Sequence, residues 1–527
     1  MSLLRSNVVV ASGTALSRIT GLARVTTFGY VIGKTALADA YTIGNETPNI
    51  VYELLIGGVL SATLVPLFTS FLERDDEEST NVVITTTLVA LTALTAIAVL
   101  AAPLIFGLYT LDPSPTVDPE QFRHVGTLLT RVFLLQIFFY GATGLANAIL
   151  NSRRRFFAAA WSPILPNVII IATLLSLPDP GSKEWTLLDV LQDDRVRWTL
   201  GLGATAGIAA MAVVLLPAVH RSGLRYRPDL RFRHPAVSRL LRLSGWTLGY
   251  VIANQVTIVF IRNLADPGSG DATAYFQAFT FFVLPHGLLA VSIATTFAPE
   301  MARSVTRGDR AAFCDQASLG TRLVALLTLP AGVALFVLRR AIVGALLQHG
   351  TYTAADADIT SRALGGFALG LVGFSLYLFV LRGFYAHQDT RTPFVINVTQ
   401  NVLNIGLAFA LVGRHGILGL AAALAISYVV CALWALQVMS YKVPGFPLRP
   451  ILGSLWRMVV AAAVAGEATW LVASRVGDDA GWPAVIRLIS GGVVGGLVYV
   501  GILVALRAPE LGAVRSRLPG RQRSPVL

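Results

Sequence analysis

Apolar runs of about twenty residues recur from one end of this chain to the other, separated by short polar breaks, and no other feature constrains its fold as tightly. As a helix, each run matches the hydrocarbon thickness of a bilayer. Soluble cores do not need such runs in succession. Only 13% of the 527 residues are charged and 54% are hydrophobic, against roughly 25% charge in soluble domains. Mean hydropathy is +0.67. The chain reads as an all-α, polytopic membrane protein. About fourteen spans are expected, over residues 7–33, 39–71, 81–108, 122–150, 156–177, 198–219, 235–263, 271–300, 314–347, 359–386, 391–412, 415–440, 451–474 and 483–506. The first span carries charges in its middle and no small-residue cleavage site, so a retained helix is expected, not a cleavable signal peptide. Cys314 and Cys431 have no metal-ligand spacing, so neither a disulfide framework nor a metal or other cofactor is expected.

The formal net charge is +12. In a soluble protein this excess would suggest nucleic acid, but here the cations gather in short loops, which makes them a topology signal and the bilayer the expected partner. With the N-terminus inside, the cytoplasmic connections include "SRRRF" (152–156), "HRSGLRYRPDLRFRH" (220–234) and "RSVTRGDR" (303–310), together with a tail carrying Arg507, Arg515, Arg517, Arg521 and Arg523. "DPSPTVDPEQF", "ADPGSGDA", "TAADAD" and "VGDDAG" fall on the opposite side. Both termini are therefore expected in the cytoplasm. The acidic "ERDDEE" (73–78) runs against the trend and is kept inside, because acids weigh little in the rule.

The chain also repeats at a spacing near 234 residues. "ALADAYTIG" (36–44) answers "GDATAYFQA" (270–278), "SATLVPLFTSF" (61–71) answers "ATTFAPEMARS" (294–304), and "NSRRRFFAAAWSPILPNVIII" (151–171) answers "HQDTRTPFVINVTQNVLNI" (387–405). Two six-helix lobes of the same orientation are expected, over 1–220 and 221–440, in a pseudo-two-fold arrangement about the membrane normal. Two further helices (441–507) and a basic cytoplasmic tail (508–527) would follow.

The first span holds the sharpest chemical signal. Ser17, Thr20, Gly21 and Arg24 fall at i, i+3, i+4 and i+7, extended by Gly13, Thr14 and Thr27, with Arg18 beside this small, polar stripe. A guanidinium in hydrocarbon costs roughly 2.5–3.5 kcal/mol, and Arg18 lies about 16 Å into its span, too deep for easy snorkelling. An anion-binding cavity is the functional reading for both arginines; pairing with buried acids is the structural one. The second span supplies Asp39, Asn45, Glu46, Asn49 and Glu53, with Asn45, Asn49 and Glu53 on one face beside Pro48. These acids either neutralise the arginines or take part in coupling. Elsewhere, Asn254, Gln255 and Arg262 mark the seventh span, Gln277, Thr280 and His286 the eighth, Arg382 the tenth, and Asn397, Gln400, Asn401 and Asn404 the eleventh. No nucleophile–base pair, HExxH or GxxxxGK occurs, and the longest connection, "PDPGSKEWTLLDVLQDDRVR", is too short for a catalytic domain. A transporter is expected, not an enzyme.

"ALSRITGLARV", "ADAYTIGNETPNI", "GGVLSATLVPLF", "ANAILNSRRRFFAAAWSPILPNV" and "LRGFYAHQDTRTPFVINV" together resemble the MurJ/MviN-type lipid II flippases of the multidrug/oligosaccharidyl-lipid/polysaccharide exporter superfamily. The resemblance implies a protein of the bacterial cytoplasmic membrane that moves undecaprenyl-diphosphate disaccharide-pentapeptide to the outer leaflet by alternating access, working beside the cell-wall synthesis machinery. It carries substrate-binding roles onto Arg18, Arg24, Asp39 and Asn49, and a prenyl-tail groove onto residues 451–506. Guanidiniums suit a diphosphate because they bind it bidentately and stay charged. Two departures stand out, since Tyr52 and Glu53 follow "PN" where the family often has a basic residue, and Thr280 takes another such position. Arg262 or Arg382 could compensate, with Asn254, Gln255, Glu53 and Thr280 as further cavity or coupling candidates. A flippase for another polyprenyl-linked glycan is the alternative, and a drug/cation antiporter a more distant one, because cationic cargo calls for acids in place of paired arginines.

Overall fold

A computed structural model describes residues 3–54, 64–178, 184–231, 234–510 and 512; the side chains of 3–11, 50–54, 236 and 238–251 lie outside that set. Among the described residues there is no strand. Two compact units are present, Met1–Thr273 with His349–Thr353, and Ala274–Gln348 with Ala354–Leu527.

The first unit contains α1 (Leu3–Ile32), α2 (Ala36–Leu54), α3 (Val65–Glu73), α4 (Glu77–Leu100), α5 (Ala102–Tyr109), α6 (Pro119–Leu134) and α7 (Gln136–Ser152). It continues with α8 (Phe156–Trp161), α9 (Ile164–Leu175), α10 (Leu187–Gln192), α11 (Asp194–His220), α12 (Pro235–Leu264) and the first turn of α13 (Asp271–Pro285). The second unit has the rest of α13, a π turn (His286–Ala290), α14 (Val291–Thr306), α15 (Arg310–Val337), α16 (Arg339–Leu346), α17 (Ala354–Ala368), α18 (Leu371–Ala386), α19 (Arg391–Lys442), α20 (Leu448–Ala473) and α21 (Gly481–Ala505).

Helix starts follow from the sequence. Asp76, Asp118, Asp193 and Asp309 each accept a backbone N–H from the first turn of the helix they precede, and Pro119 sits where no intrahelical N–H is needed. Nine described helices are long and apolar enough to cross a membrane, with the pair α17 and α18, bent by 45°, as a tenth candidate. Gly416, at φ 54° and ψ −137°, breaks α19 into two spans, in agreement with the separate runs at 391–412 and 415–440. The described helices are consistent with the expected count of about fourteen crossings.

In the first unit α2 packs on α6 and α7, α11 on α7 and α9, and α1 on α8 and α9. The α1 contact uses the small, polar stripe. Gly13 lies against Ala160 and Trp161, and Asn167 Nδ2 donates to Ser17 O (3.2 Å) and Thr20 Oγ1 (3.1 Å). Much of that stripe is therefore a helix seam, where small side chains allow close approach and amides bond across. The acidic 73–78 loop also finds its reason here. Asp76 caps α4, while Glu78 pairs with Arg231 of the basic connection at 2.7 Å. Packing carries α12 with the first unit, past the repeat boundary expected at residue 220, because Asn263 bonds both Leu108 O (2.9 Å) and Leu111 N–H (2.6 Å).

In the second unit α15 packs on α14, α18 and α20, and α20 on α21. The core includes Phe379, Phe384, Met439 and Met458, and Tyr499 on α21 donates to Leu326 O at 3.0 Å. Ile489, Val493, Leu497, Val500 and Val504 leave an exposed apolar face on α21, as a lipid-facing helix requires.

Candidate functional site

The turn joining α1 to α2 is built around charge that is fully spent. Asp39, in the first turn of α2, is completely buried. Its Oδ2 accepts from the N–H groups of Gly268 and Gly270, both at 2.9 Å, and its Oδ1 accepts from the N–H and hydroxyl of Thr273, both at 2.8 Å. Four donors saturate a carboxylate. Gly268 and Gly270 have φ of 103° and 86°, left-handed values that turn their N–H groups toward Asp39 without steric cost. Lys34 closes the turn, bonding Asp271 Oδ1 at 2.8 Å and Ser269 O at 3.0 Å. At the end of α1, Tyr30 O accepts from Thr351 N–H (3.2 Å) and Oγ1 (3.1 Å).

Deeper along the same two helices the treatment of charge reverses. Arg18 is exposed and Arg24 half-buried, and among the described residues neither guanidinium has a hydrogen bond or an ion pair. Phe28, one turn from Arg24, packs on Tyr41 of α2 with ring centroids 5.0 Å apart. Arg24 and Glu46 both act electrostatically on Tyr41. Glu46 is half-buried, and its Oε2 accepts from Asn49 Nδ2 at 3.5 Å.

Arg262 of α12 also reaches this face of α2, but it is buried and engaged. Its Nη1 donates to Ile43 O (3.2 Å) and Thr47 Oγ1 (3.5 Å), and its guanidinium lies 4.3 Å from the centre of the Tyr109 ring. It is an interior tie between α12, α2 and α5. Asn45 turns the other way, accepting from Gln136 Nε2 at 3.1 Å. Asn254 and Gln255 are half-buried on α12, and Gln255 Oε1 is buried without a hydrogen-bond partner among the described residues. The Glu53 side chain lies outside the described residues. In the second unit, Thr280 is half-buried and returns its hydroxyl to Phe276 O at 3.0 Å, while Arg382 is exposed. Glu46 and Asn49 thus lie together on α2, with Arg262 bonded to the neighbouring Ile43 and Thr47, while Thr280 and Arg382 fall in the other unit.

Lys34, Thr273, Gln136 and Asn167 were not singled out by sequence. Signals for two of them exist. Asn167 repeats the "PN" of the second span within "PILPN", and Thr273 follows the glycine pair of "DPGSGDAT". Among the described residues no group of three or more His, Cys, Asp or Glu could hold a metal.

Residues 28–482 match the family model described as "Lipid II flippase MurJ". A curated relative from Rhizobium meliloti, described as "Probable lipid II flippase MurJ", is 29% identical over 483 residues, 89% of this chain and 87% of that one. The Burkholderia cenocepacia "Lipid II flippase MurJ" is 26% identical over 407 residues, 76% of each chain. Among solved structures, a lipid II flippase MurJ in an inward closed conformation superposes with a TM-score of 0.76 at 22% identity, covering 95% of this chain and 99% of the other. An inward-facing multidrug-resistance MATE transporter follows at 0.63 and 16%, covering 82% and 98%. The helical architecture is shared across both, and the match along 28–482 decides between them: the chain belongs to the MurJ family of lipid II flippases.

Proposed function

We propose that this protein moves lipid II from the cytoplasmic to the outer leaflet of the bacterial cytoplasmic membrane by alternating access, with both termini in the cytoplasm. It is a transporter whose cargo carries a diphosphate between prenyl tail and sugar. The observation that carries the residue assignments is the contrast along α1 and α2. A membrane helix that holds two guanidiniums without described partners has paid for charge that its own fold does not use. Arg24 and Arg18 take the diphosphate oxygens, because guanidinium forks match phosphate and remain cationic throughout the cycle. Asn49 donates beside them. Asp39 serves the site by positioning, since all its acceptor capacity holds the turn from which α1 and α2 depart.

The test is replacement of a host's own flippase by this gene, with lipid II measured at the outer surface. Wild type is expected to restore surface lipid II; Arg24→Ala abolishes rescue, whereas Arg221→Ala, an exposed cation just after α11, leaves it intact. Failure of folded, inserted wild type overturns the lipid II assignment. Equal rescue by both variants overturns the role of Arg24.

A further inference from the structure

The two repeats build the same turn and put opposite charges in it. After α7, Arg154 N–H bonds Asn151 O (3.0 Å), Arg155 N–H bonds Leu150 O (2.8 Å), and Arg154 takes φ 55°. After α18, 234 positions later, Gln388 N–H bonds Tyr385 O (2.9 Å), Asp389 N–H bonds Phe384 O (3.0 Å), and Gln388 takes φ 58°. Arg155 therefore occupies the place of Asp389. In the second unit that place is saturated, because Asp389 accepts from Lys442 Nζ and from both the N–H and the hydroxyl of Thr392. In the first unit the charge is open. Among the described residues, the exposed Arg154 and Arg155 side chains have neither a hydrogen bond nor an ion pair. Arg153 is engaged, donating Nη1 to Ser222 O at 2.6 Å; burial and then Arg155 disfavour its charge, which Glu77 supports.

The turn leads directly into the segment that packs on α1. Ala160 and Trp161 of α8 lie against Gly13, and Asn167 of α9 bonds Ser17 O and Thr20 Oγ1. These two contacts fix α1 and the α8–α9 segment as parallel neighbours. Along that seam Arg155 stands about 15 Å before the level of Arg18, and Arg24 about 9 Å beyond it, at 1.5 Å per residue. Phe157, exposed and stacked on Trp161, marks the start of the seam as the interfacial level, where aromatic rings meet lipid headgroups. Guanidiniums open at that level, at the foot of the helix that bears Arg18 and Arg24, suit a diphosphate arriving in the same leaflet.

We propose that Arg154 and Arg155 form a capture site for the diphosphate of the incoming lipid, ahead of the Arg18/Arg24 site. The assignment rests on the reading of the cargo given above and adds the entry step to it. The pair concentrates the dianion at the foot of α1, and it favours a dianion over a monoanion because the attraction scales with ligand charge.

The test reconstitutes the full-length protein in phosphatidylcholine vesicles under an inside-negative potential and follows the initial rate of lipid II movement against lipid II content. Arg155→Asp is the most informative variant, since the same turn already carries aspartate in the second unit and its backbone accepts that residue. Arg155→Gln should raise the half-saturating lipid II content about threefold and Arg155→Asp about tenfold, with the maximal rate unchanged. Both shifts should shrink at high salt, as exposed charges require. Arg24→Ala should abolish transport at every lipid II content. Unchanged half-saturation in both Arg155 variants, or a fall in maximal rate alone, overturns the capture site and leaves the cargo reading standing. A shift that appears only when phosphatidylglycerol is added assigns the turn to a resident phospholipid and also overturns it. No lipid II transport by folded wild type overturns the cargo reading and the capture site together.

Discussion

α1 and α2 leave one turn and then treat charge in opposite ways. At the turn, Asp39 receives four donors and Lys34 two acceptors, so every charged group is matched. Farther along, among the described residues, Arg18 and Arg24 have neither a hydrogen bond nor an ion pair. Burial alone does not separate the two regions, since Arg262 is buried and hydrogen-bonded to α2 through Ile43 O and Thr47 Oγ1. What separates them is whether the fold itself consumes the charge. Matched groups hold the helices in place; unmatched ones are available to a ligand.

Removing a member of each class should therefore produce opposite phenotypes. Asp39→Ala leaves the N–H groups of Gly268, Gly270 and Thr273 buried without their acceptor, a loss of about 3 kcal/mol or more in stability. Asp39→Asn should fall between, because an amide presents an acceptor to only two of the four donors and turns its own N–H groups on the rest. Arg24→Ala should leave the unfolding midpoint in detergent unchanged or raised. A fall in the Arg24→Ala midpoint comparable to that of Asp39→Ala erases the distinction between the two regions.

A smaller effect is expected where the turn depends on backbone alone. At Gly270, φ is 86° and an added Cβ would sit 2.7 Å from Lys34 O, so Gly270→Ala must strain the backbone and push the turn apart at once. A cost of about 2 kcal/mol follows, with transport reduced only in proportion to the loss of folded protein. Gly453→Ala, on α20 with open space around it, is the control and should be close to neutral. Equal midpoints for the two variants would mean that the turn is not under tension at Gly270.

The membrane class and the all-helical architecture were legible in the sequence, because apolar length is a property of composition along the chain. The partner of each charge was not. Ser17, Thr20 and Gly21 read as one wall with Arg24, but Asn167, about 150 positions away, claims Ser17 and Thr20 for a helix seam. Asp39 read as a site acid, whereas its donors lie some 230 positions on, in a loop whose glycines gave no hint of their target. The "DTRTP" connection shows the same limit. Its spacing is recognisable locally, yet the Lys442 that completes it lies at the far end of α19.

That last cluster yields the smallest effect and a check on matched charge in the other unit. Asp389 lies in the connection between α18 and α19. Its Oδ1 accepts from Thr392 N–H (3.0 Å), and its Oδ2 from Lys442 Nζ (2.7 Å) and Thr392 Oγ1 (2.7 Å). Burial pulls its pKa upward, but the hydrogen bonds from Lys442 and Thr392 prevail and hold it at about 2, below the ordinary carboxylate value near 3.9. A depressed carboxylate stabilises the fold fully above its unfolded pKa, and loses that contribution as pH falls through the folded one. The unfolding midpoint should therefore decline between about pH 4 and pH 2 in wild type. Because Lys442 is half exposed, the neutral-pH cost of Lys442→Met should stay under about 1 kcal/mol, while the acid decline becomes shallower as Asp389 returns toward its ordinary range. The same acid decline in both proteins would show that Lys442 does not govern Asp389, and that a short, well-directed ion pair in this fold is not evidence of charge spent on stability.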